Sequence, residues 1–422
     1  MIEKNKDLIY RLSSYFLVLI SLVWLLKRFY LVSVHYREYQ WDFFVYFSAV
    51  NAYFVNGLNP YVVEDLARIN QAINVQDHPV VPFLYPYISL YLFYPLTWFS
   101  WETSYYACLF LKPLYFCGIG YLFLKTYEEK KVSLSPWLII WLTLGFSGCL
   151  NNDLKTGNIA LYMNATILLA MIAVKKQRWF LFFFASLCPA IIKVYPLIFS
   201  LSPALLAKGR LRWAIPCLTV SGVVLLFMLG YLFDPDRSMD FFSLALPTLF
   251  DRTFALVDPL KDNNCGVARL AHDIFYLISG KSNYFLGTVV WLNFSAIVMG
   301  TLSYLVYIKR MSSLQRVCLI IFTYGLINPR VVEYTYSLFL FPAVLVFTNV
   351  MKQSLVKYIV AVSCLPSFTF IVTFLKKMIP YSVLPTFSVL LDSTPWLLIF
   401  LFWTLTVENV MQEASEDLPA LA

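Results

Sequence analysis

The stretch AIPCLTVSGVVLLFMLGYLF, Ala214–Phe233, runs for 20 residues without one charged side chain. An α-helix rises about 1.5 Å per residue, so such a run crosses the roughly 30 Å hydrocarbon core of a bilayer. The Pro and Gly inside it are tolerated in membrane helices. Tyr15–Leu26, Trp137–Leu144 and Trp396–Leu405 reach spanning length with their flanks. The whole chain follows this pattern: of 422 residues 60% are hydrophobic and only 13% charged, with a mean hydropathy of +0.70. Soluble domains carry roughly 25% charged residues, and a soluble core could not hide this much apolar surface. The sequence therefore predicts an all-α, polytopic transmembrane bundle of about a dozen helices, as one multi-pass domain over residues 1–422.

The net charge of +8 would suggest nucleic acid in a soluble chain. Here the cations cluster between apolar runs, at KKQR (175–178), KGRLR (208–212) and KR (309–310), and read as cytoplasmic orientation signals. No nucleic-acid partner is expected. The N-terminus is basic, and the first helix is expected near Leu12–Val34. Residues 35–81 form a first extracytoplasmic loop, in which YFSAVNAYFVNG could make a short interfacial helix. Residues 234–284 form a second. The acidic end, 411–422, is expected as a disordered cytoplasmic tail.

Apolar segments are expected at Phe83–Phe99, Tyr105–Leu124, Ser135–Leu150, Ile159–Val174, Trp179–Ile192 and Val194–Ala207, and later at Tyr336–Val350, Tyr358–Phe374 and Thr394–Val407. One parity problem follows. If YEEKK (127–131) is cytoplasmic, residues 83–124 cross an odd number of times yet show two apolar runs. Either Phe83–Phe99 is re-entrant or slanted, or that loop is outside. The eight cysteines contain no CxxC pair and the three histidines are far apart, so neither a disulfide framework nor a structural zinc site is expected.

Candidate chemistry lies in the polar groups between these runs. Asp42 is flanked by Trp41, Phe43 and Phe44; a partly desolvated carboxylate suits a base, while a solvated helix cap is the plainer alternative. Lys193 lies in CPAIIKVYPLIF, apolar on both sides, where a lysine is costly unless paired or lining an aqueous cavity; snorkelling is the alternative. Lys112, in LFLKPLYF, is a similar case with less support. Asn151, Asn152, Asp153, Lys155, Gly157 and Asn158 form a polar island that could equally be an ordinary loop. Arg330 could hold a phosphate and Glu333 a hydroxyl, or the two could form a minor surface pair. Arg252, Lys261 and Arg269 can be read as solvated. One carboxylate with several separated cations suits displacement of a phosphate leaving group. There is no Gly-rich phosphate loop.

Three strings carry a family resemblance: WDFFVYFSAVNAYFVNGLNPY, FLYPYISLYLFYPL, and LKTGNIALYMNATILLAMIAVKKQRWFLFFFASLCPAIIKVYPLIFSLSPALLAKGRLRW. DNNCGVARL (262–270) and NPRVVEYTYSLFLFPA add weaker support. The chain resembles glycosyltransferase family 87, the polyprenol-phosphate-sugar-dependent mannosyl- and arabinofuranosyltransferases of the GT-C fold. Asn158 stands where the family's Gly-Gln-x-Asn motif has Gln, and that motif's own Asn is replaced. The late Trp and His pair is absent. Both departures leave the sugar open.

The resemblance implies an enzyme of a bacterial inner membrane with an extracytoplasmic site. It would move mannose, arabinofuranose, glucose or a similar sugar from a polyprenyl phosphate to a hydroxyl of a glycan or glycolipid, with inversion. Asp42 takes the place of the catalytic base, and Lys193, Arg330 and Lys155 would contact the donor phosphate. Tyr85, Asn152, Asn158, Asn264, Glu333 and Tyr334 are the candidate substrate contacts. No cofactor is expected; a lone Asp42 makes a poor magnesium site, and a divalent metal stays an open alternative. Competing readings are a transporter or flippase for lipid-linked sugar, and an O-antigen polymerase- or ligase-like protein.

Overall fold

The computed structural model describes residues 2–35, 41–73, 80–128, 147–207, 209–250, 266–281, 283–308, 311–328, 331, 333–349 and 384–416. Every regular element among them is helical. Trp137–Leu144, Arg252, Lys261, Asn264, the pair 309–310, Arg330, Tyr358–Phe374 and residues 417–422 lie outside the described residues, as do all but the last four residues of Ser135–Leu150.

Helix α1 covers Ile2–Val34, ten residues more than the apolar run alone indicates, because the polar start continues the same helix. Leu12, Tyr15, Phe16, Leu19 and Leu26 are exposed along it, as lipid-facing residues would be. The described residues of the first loop are mostly helical. Helix α2, Trp41–Val50, passes into a π-helical turn at Asn51–Val55, and α3 covers Val63–Ala72. The segment Phe83–Phe99 is not one helix. It breaks into 3-10 helix Tyr87–Ser89, a single α-turn Leu90–Phe93 and 3-10 helix Tyr94–Trp98, which fits the slanted alternative and removes one apolar run from the spanning set.

Helix α4, Trp101–Tyr127, is capped by Ser100. The polar island at residues 151–158, for which an ordinary loop is one reading of the sequence, is mostly helix: α5 covers Ser147–Thr156. Helix α6, Ala160–Lys175, is apolar all round and nearly all its side chains are buried, which marks a central post, not a lipid-facing helix. It packs between α4 and α7, Trp179–Ile192. Gln177, at φ 54°, turns the chain between α6 and α7, and Arg178 donates its backbone N–H to Ala173 O at 2.8 Å. The expected helix Val194–Ala207 is instead 3-10 helix Tyr195–Leu201 and one α-turn, Ser202–Leu206, since Pro196 and Pro203 each remove a backbone donor.

Helix α8 covers Leu211–Phe233 and exposes Leu218, Leu225, Met228 and Leu232. The second loop carries short turns over residues 235–250 and then α9, Val267–Ser279, which packs along α10, Tyr284–Ile308. Helix α11, Ser313–Ile327, begins at a Ser312–Gln315 capping box. The chain then runs through 3-10 helix Glu333–Phe339 into α12, Leu340–Asn349. The last helix, α13, covers Leu384–Glu416, so the expected disordered tail is helical through Glu416. Polar pairs near both ends tie α13 to α11: Trp403 Nε1 donates to Thr323 Oγ1 at 3.0 Å and Gln315 Nε2 to Asn409 Oδ1 at 2.8 Å.

Among the described residues three helices are long and apolar enough to cross a bilayer: α4, α8 and Phe285–Tyr307 within α10. Six shorter apolar helices accompany them. A 15-residue helix rises only about 22 Å, so these shorter pieces rely on neighbours to satisfy their ends. The molecule is an all-α membrane bundle. Two hydrogen bonds join the first loop to the second: Tyr53 donates to Asp234 Oδ2 at 3.0 Å, and Asn59 Nδ2 to Asp240 Oδ2 at 2.7 Å.

Candidate active site

Asp42 lies in the first turn of α2, and aromatic packing fixes that helix. Phe44 meets Trp101 at 5.1 Å and Phe43 meets Tyr105 at 5.7 Å between ring centroids, both on α4. A solvated loop aspartate with no helix packed around it is therefore not what the fold presents. The carboxylate is half-buried and accepts a hydrogen bond from Asn158 Nδ2 at 2.9 Å.

Asn158 sits in the tight turn between α5 and α6. The turn needs Gly157 at φ 69°, a left-handed conformation that a side chain would strain. Asn158 Oδ1 accepts from Ala160 N at 2.9 Å, and its backbone N–H donates to Asp153 O at 3.0 Å. Lys112 reaches in from α4. Its Nζ donates to Asp153 Oδ1 at 2.6 Å, to Asn158 O at 2.7 Å and to Asp153 O at 3.4 Å. Asp153 Oδ2 accepts from Leu161 N at 3.0 Å. Lys112 is 3% exposed and Asp153 0%, so Lys112, which reads as the weaker lysine in the sequence, is the more deeply held one. Breaking such a pair from one side costs about 3–5 kcal/mol, because a charge stays buried without its partner.

Lys193 immediately follows α7, in extended conformation at φ −132°, ψ 121°. Its backbone N–H bonds Pro189 O at 2.9 Å, and the helix stops there, two residues ahead of the 3-10 helix that opens at Tyr195. The Lys193 side chain is half-buried and within electrostatic reach of both Asp42 and the Tyr85 hydroxyl. Tyr85 is hydrogen-bonded to Tyr46 through their hydroxyls at 3.1 Å, and Tyr61 donates to its carbonyl at 2.9 Å. Burial raises the Asp42 pKa above the ordinary carboxylate value of 3.8. The Asn158 hydrogen bond, the nearby Thr156 hydroxyl and the fields of Lys193 and Lys112 oppose that rise. Thr156 Oγ1 is buried and forms no hydrogen bond of good geometry, so it acts on the carboxylate at longer range.

Asp42, Tyr85, Asn158 and Lys193, far apart in sequence, thus converge. Asn152 and Lys155 are half-buried on α5 beside Asp153. Glu333 and Tyr334 open the 3-10 helix Glu333–Phe339, and only their backbone is described. That helix is held against α6: Asn164 Nδ2 donates to Ser337 Oγ at 2.6 Å and to Thr335 O at 3.4 Å. Asn164 and Ser337 are absent from the sequence-based candidates, although Asn164 stands inside the motif string. Arg269 is not solvated. It is 3% exposed on α9, bonds Asp273 Oδ2 through Nε at 2.7 Å, and shares that carboxylate with His272 Nδ1 at 3.1 Å. Among the described residues no three His, Cys, Asp or Glu side chains converge to hold a metal ion.

The profile of glycosyltransferase family 87 matches residues 83–328. The chain belongs to glycosyltransferase family 87. No curated protein and no solved structure matches it. The match spans Tyr85, Lys112, Asp153, Asn158 and Lys193 and begins after Asp42. As a family 87 member the chain is a glycosyltransferase embedded in a membrane, acting on a sugar donor and an acceptor.

Proposed function

We propose that this glycosyltransferase takes its sugar from a polyprenyl phosphate and adds it, with inversion, to a hydroxyl of a glycan or glycolipid at the extracytoplasmic face of a bacterial inner membrane. The observation that carries the reading is the half-buried Asp42 carboxylate within the field of Lys193. In a single displacement the acceptor hydroxyl gives its proton to Asp42. Its oxygen attacks the anomeric carbon, and the bond to the phosphate oxygen breaks with the electron pair leaving on the lipid phosphate. Lys193, with Arg330 and Lys155 as further cations in this reading, neutralises that developing charge. Burial that raises the Asp42 pKa improves it as a proton acceptor near neutral pH.

The test uses protein reconstituted in liposomes with polyprenyl-phosphate mannose, arabinofuranose or glucose and membrane glycolipid. Asp42→Asn keeps the shape and removes proton acceptance, so transfer should fall by at least about 10²-fold while donor binding persists. A base must be ionised to work. Wild-type activity should therefore fall as pH drops through the Asp42 pKa, at a midpoint above 3.8. Near-normal transfer by Asp42→Asn would sink the mechanism, and transfer lost instead in Glu64→Gln or Asp65→Asn would move the base elsewhere in the loop.

A further inference from the structure

Asn158 has four polar atoms, and each has a partner inside the protein. Its N–H meets Asp153 O, its carbonyl meets Lys112 Nζ, its Oδ1 meets Ala160 N and its Nδ2 meets Asp42 Oδ2. Two of these contacts set the amide orientation independently. An N–H can point only at the amide oxygen, and a carboxylate is best met by the amide nitrogen. Asn158 is only 2% exposed, which leaves little surface for a sugar to touch. Lys112 has three donors and meets three acceptors, and both Asp153 oxygens are bonded. Each polar atom of the trio's side chains thus has at least one partner, and the network reaches Asp42 through Asn158 Nδ2. A densely bonded buried polar network holds its members in place.

We propose that Lys112, Asp153 and Asn158 form a positioning unit that fixes the orientation and ionisation of the Asp42 carboxylate, and that Asn158 serves transfer through Asp42 without touching the sugar. This deepens the reading of Asp42 as the base and rests on it. It also changes the place of Asn158, a substrate contact by family resemblance. The unit stands at the junction of α2, α4 and the α5–α6 turn, so one lysine from a membrane helix sets the geometry of a catalytic group on a loop helix. The groups that face Asp42 are Lys112 from α4, Asp153 and Thr156 from α5, Asn158 from the turn, Lys193 from the end of α7, and Tyr85 from the segment after the first loop. Of these, Asn158 donates a hydrogen bond to it at 2.9 Å. Loss of that donor removes a contact made to the ionised form, so the proton should bind more tightly.

Infrared pH titration of the purified protein reads this directly. The carboxyl band of Asp42 is the one lost in Asp42→Asn. In Asn158→Ala its midpoint should move up by about one pH unit, the shift for loss of one charge-assisted hydrogen bond. Asn158→Asp keeps the cap on Ala160 and the side-chain shape but sets a second carboxylate beside the first. It should move the midpoint the same way, and it serves where Asn158→Ala does not accumulate. In transfer assays with polyprenyl-phosphate mannose, the acid limb of kcat should rise with the midpoint, so that kcat falls about tenfold at pH values below both midpoints, while KM for the donor holds. An unmoved midpoint in both variants overturns the proposal. A raised KM with an unmoved acid limb does so too, and restores Asn158 as a substrate contact. Full transfer by Asp42→Asn would instead overturn the base reading, while an infrared shift in Asn158→Ala would still stand as evidence for the unit.

Discussion

Lys193 illustrates how the place where a helix stops sets a single residue's surroundings. Its charge is costly in apolar surroundings, and the turn after α7 leaves it half-buried beside Asp42 and Tyr85. In the proposed mechanism it meets the donor phosphate. Lys193→Ala should then lose one charge-assisted contact, on the order of 1.5–3 kcal/mol, and weaken donor binding roughly ten- to a hundredfold. Lys193→Arg should rescue only partly, because a planar guanidinium is larger and differently hydrated. Equilibrium binding of polyprenyl-phosphate mannose to the purified variants checks this, and unchanged affinity in Lys193→Ala makes the residue structural. Lys112 sits in equally apolar sequence and is committed to Asp153 at 2.6 Å. Hydropathy alone cannot separate the two, since the partner that decides the matter is 41 residues away.

At the scale of elements, the close approach of α9 to α10 depends on Gly287. A Cβ there would lie 2.7 Å from Ala268 O, and a backbone carbonyl cannot swing aside. Gly287→Ala should therefore destabilise by about 1–3 kcal/mol through overpacking. Gly300, on the same helix, has open space around its Cβ position, so Gly300→Ala should be neutral or stabilising by up to about 1 kcal/mol. Thermal unfolding in detergent ranks the two, and an equal Tm for both would refute the packing argument. The same helix pair shows what the sequence hides. Arg269, His272 and Asp273 read as ordinary loop residues, yet α9 buries them on one face with Val267 and Ala268. The i, i+4 spacing of Arg269 and Asp273 was there to be read, but three polar residues cancel the apolar ones in any hydropathy average. Long uninterrupted runs such as Leu211–Phe233 were legible because composition and length both exceed what a soluble fold accommodates. Phe83–Phe99 stays open in the sequence because its apolar residues continue through Pro86 and Pro95 while its helical backbone does not.

Across the whole molecule, the two large loops belong to one side of the membrane. Tyr53–Asp234 and Asn59–Asp240 join them by side-chain hydrogen bonds at 3.0 and 2.7 Å, which no arrangement on opposite faces permits. Asp42 begins the helix that leads to Tyr53, and the proposed topology keeps the candidate site on that side. Charge then proposes which side it is. The turn between α6 and α7 carries Lys175, Lys176 and Arg178, and the start of α8 carries Arg210 and Arg212, all at the far ends of helices that lead away from the site. An excess of cations in short loops marks the cytoplasm, so the proposed topology has the loops and Asp42 outside. The expected result is read by single cysteines in a background with the eight native cysteines removed. Positions 64 and 236 should react with an impermeant maleimide in intact cells. Positions 177 and 209 should react only after the membrane is opened. Labelling of 64 and 236 from opposite sides would contradict the loop-to-loop bonds, whereas labelling of both only in opened cells would keep the fold and turn the active site to the cytoplasm. That second outcome would also weigh against the proposed lipid-phosphate donor, because a cytoplasmic site has nucleotide sugars within reach.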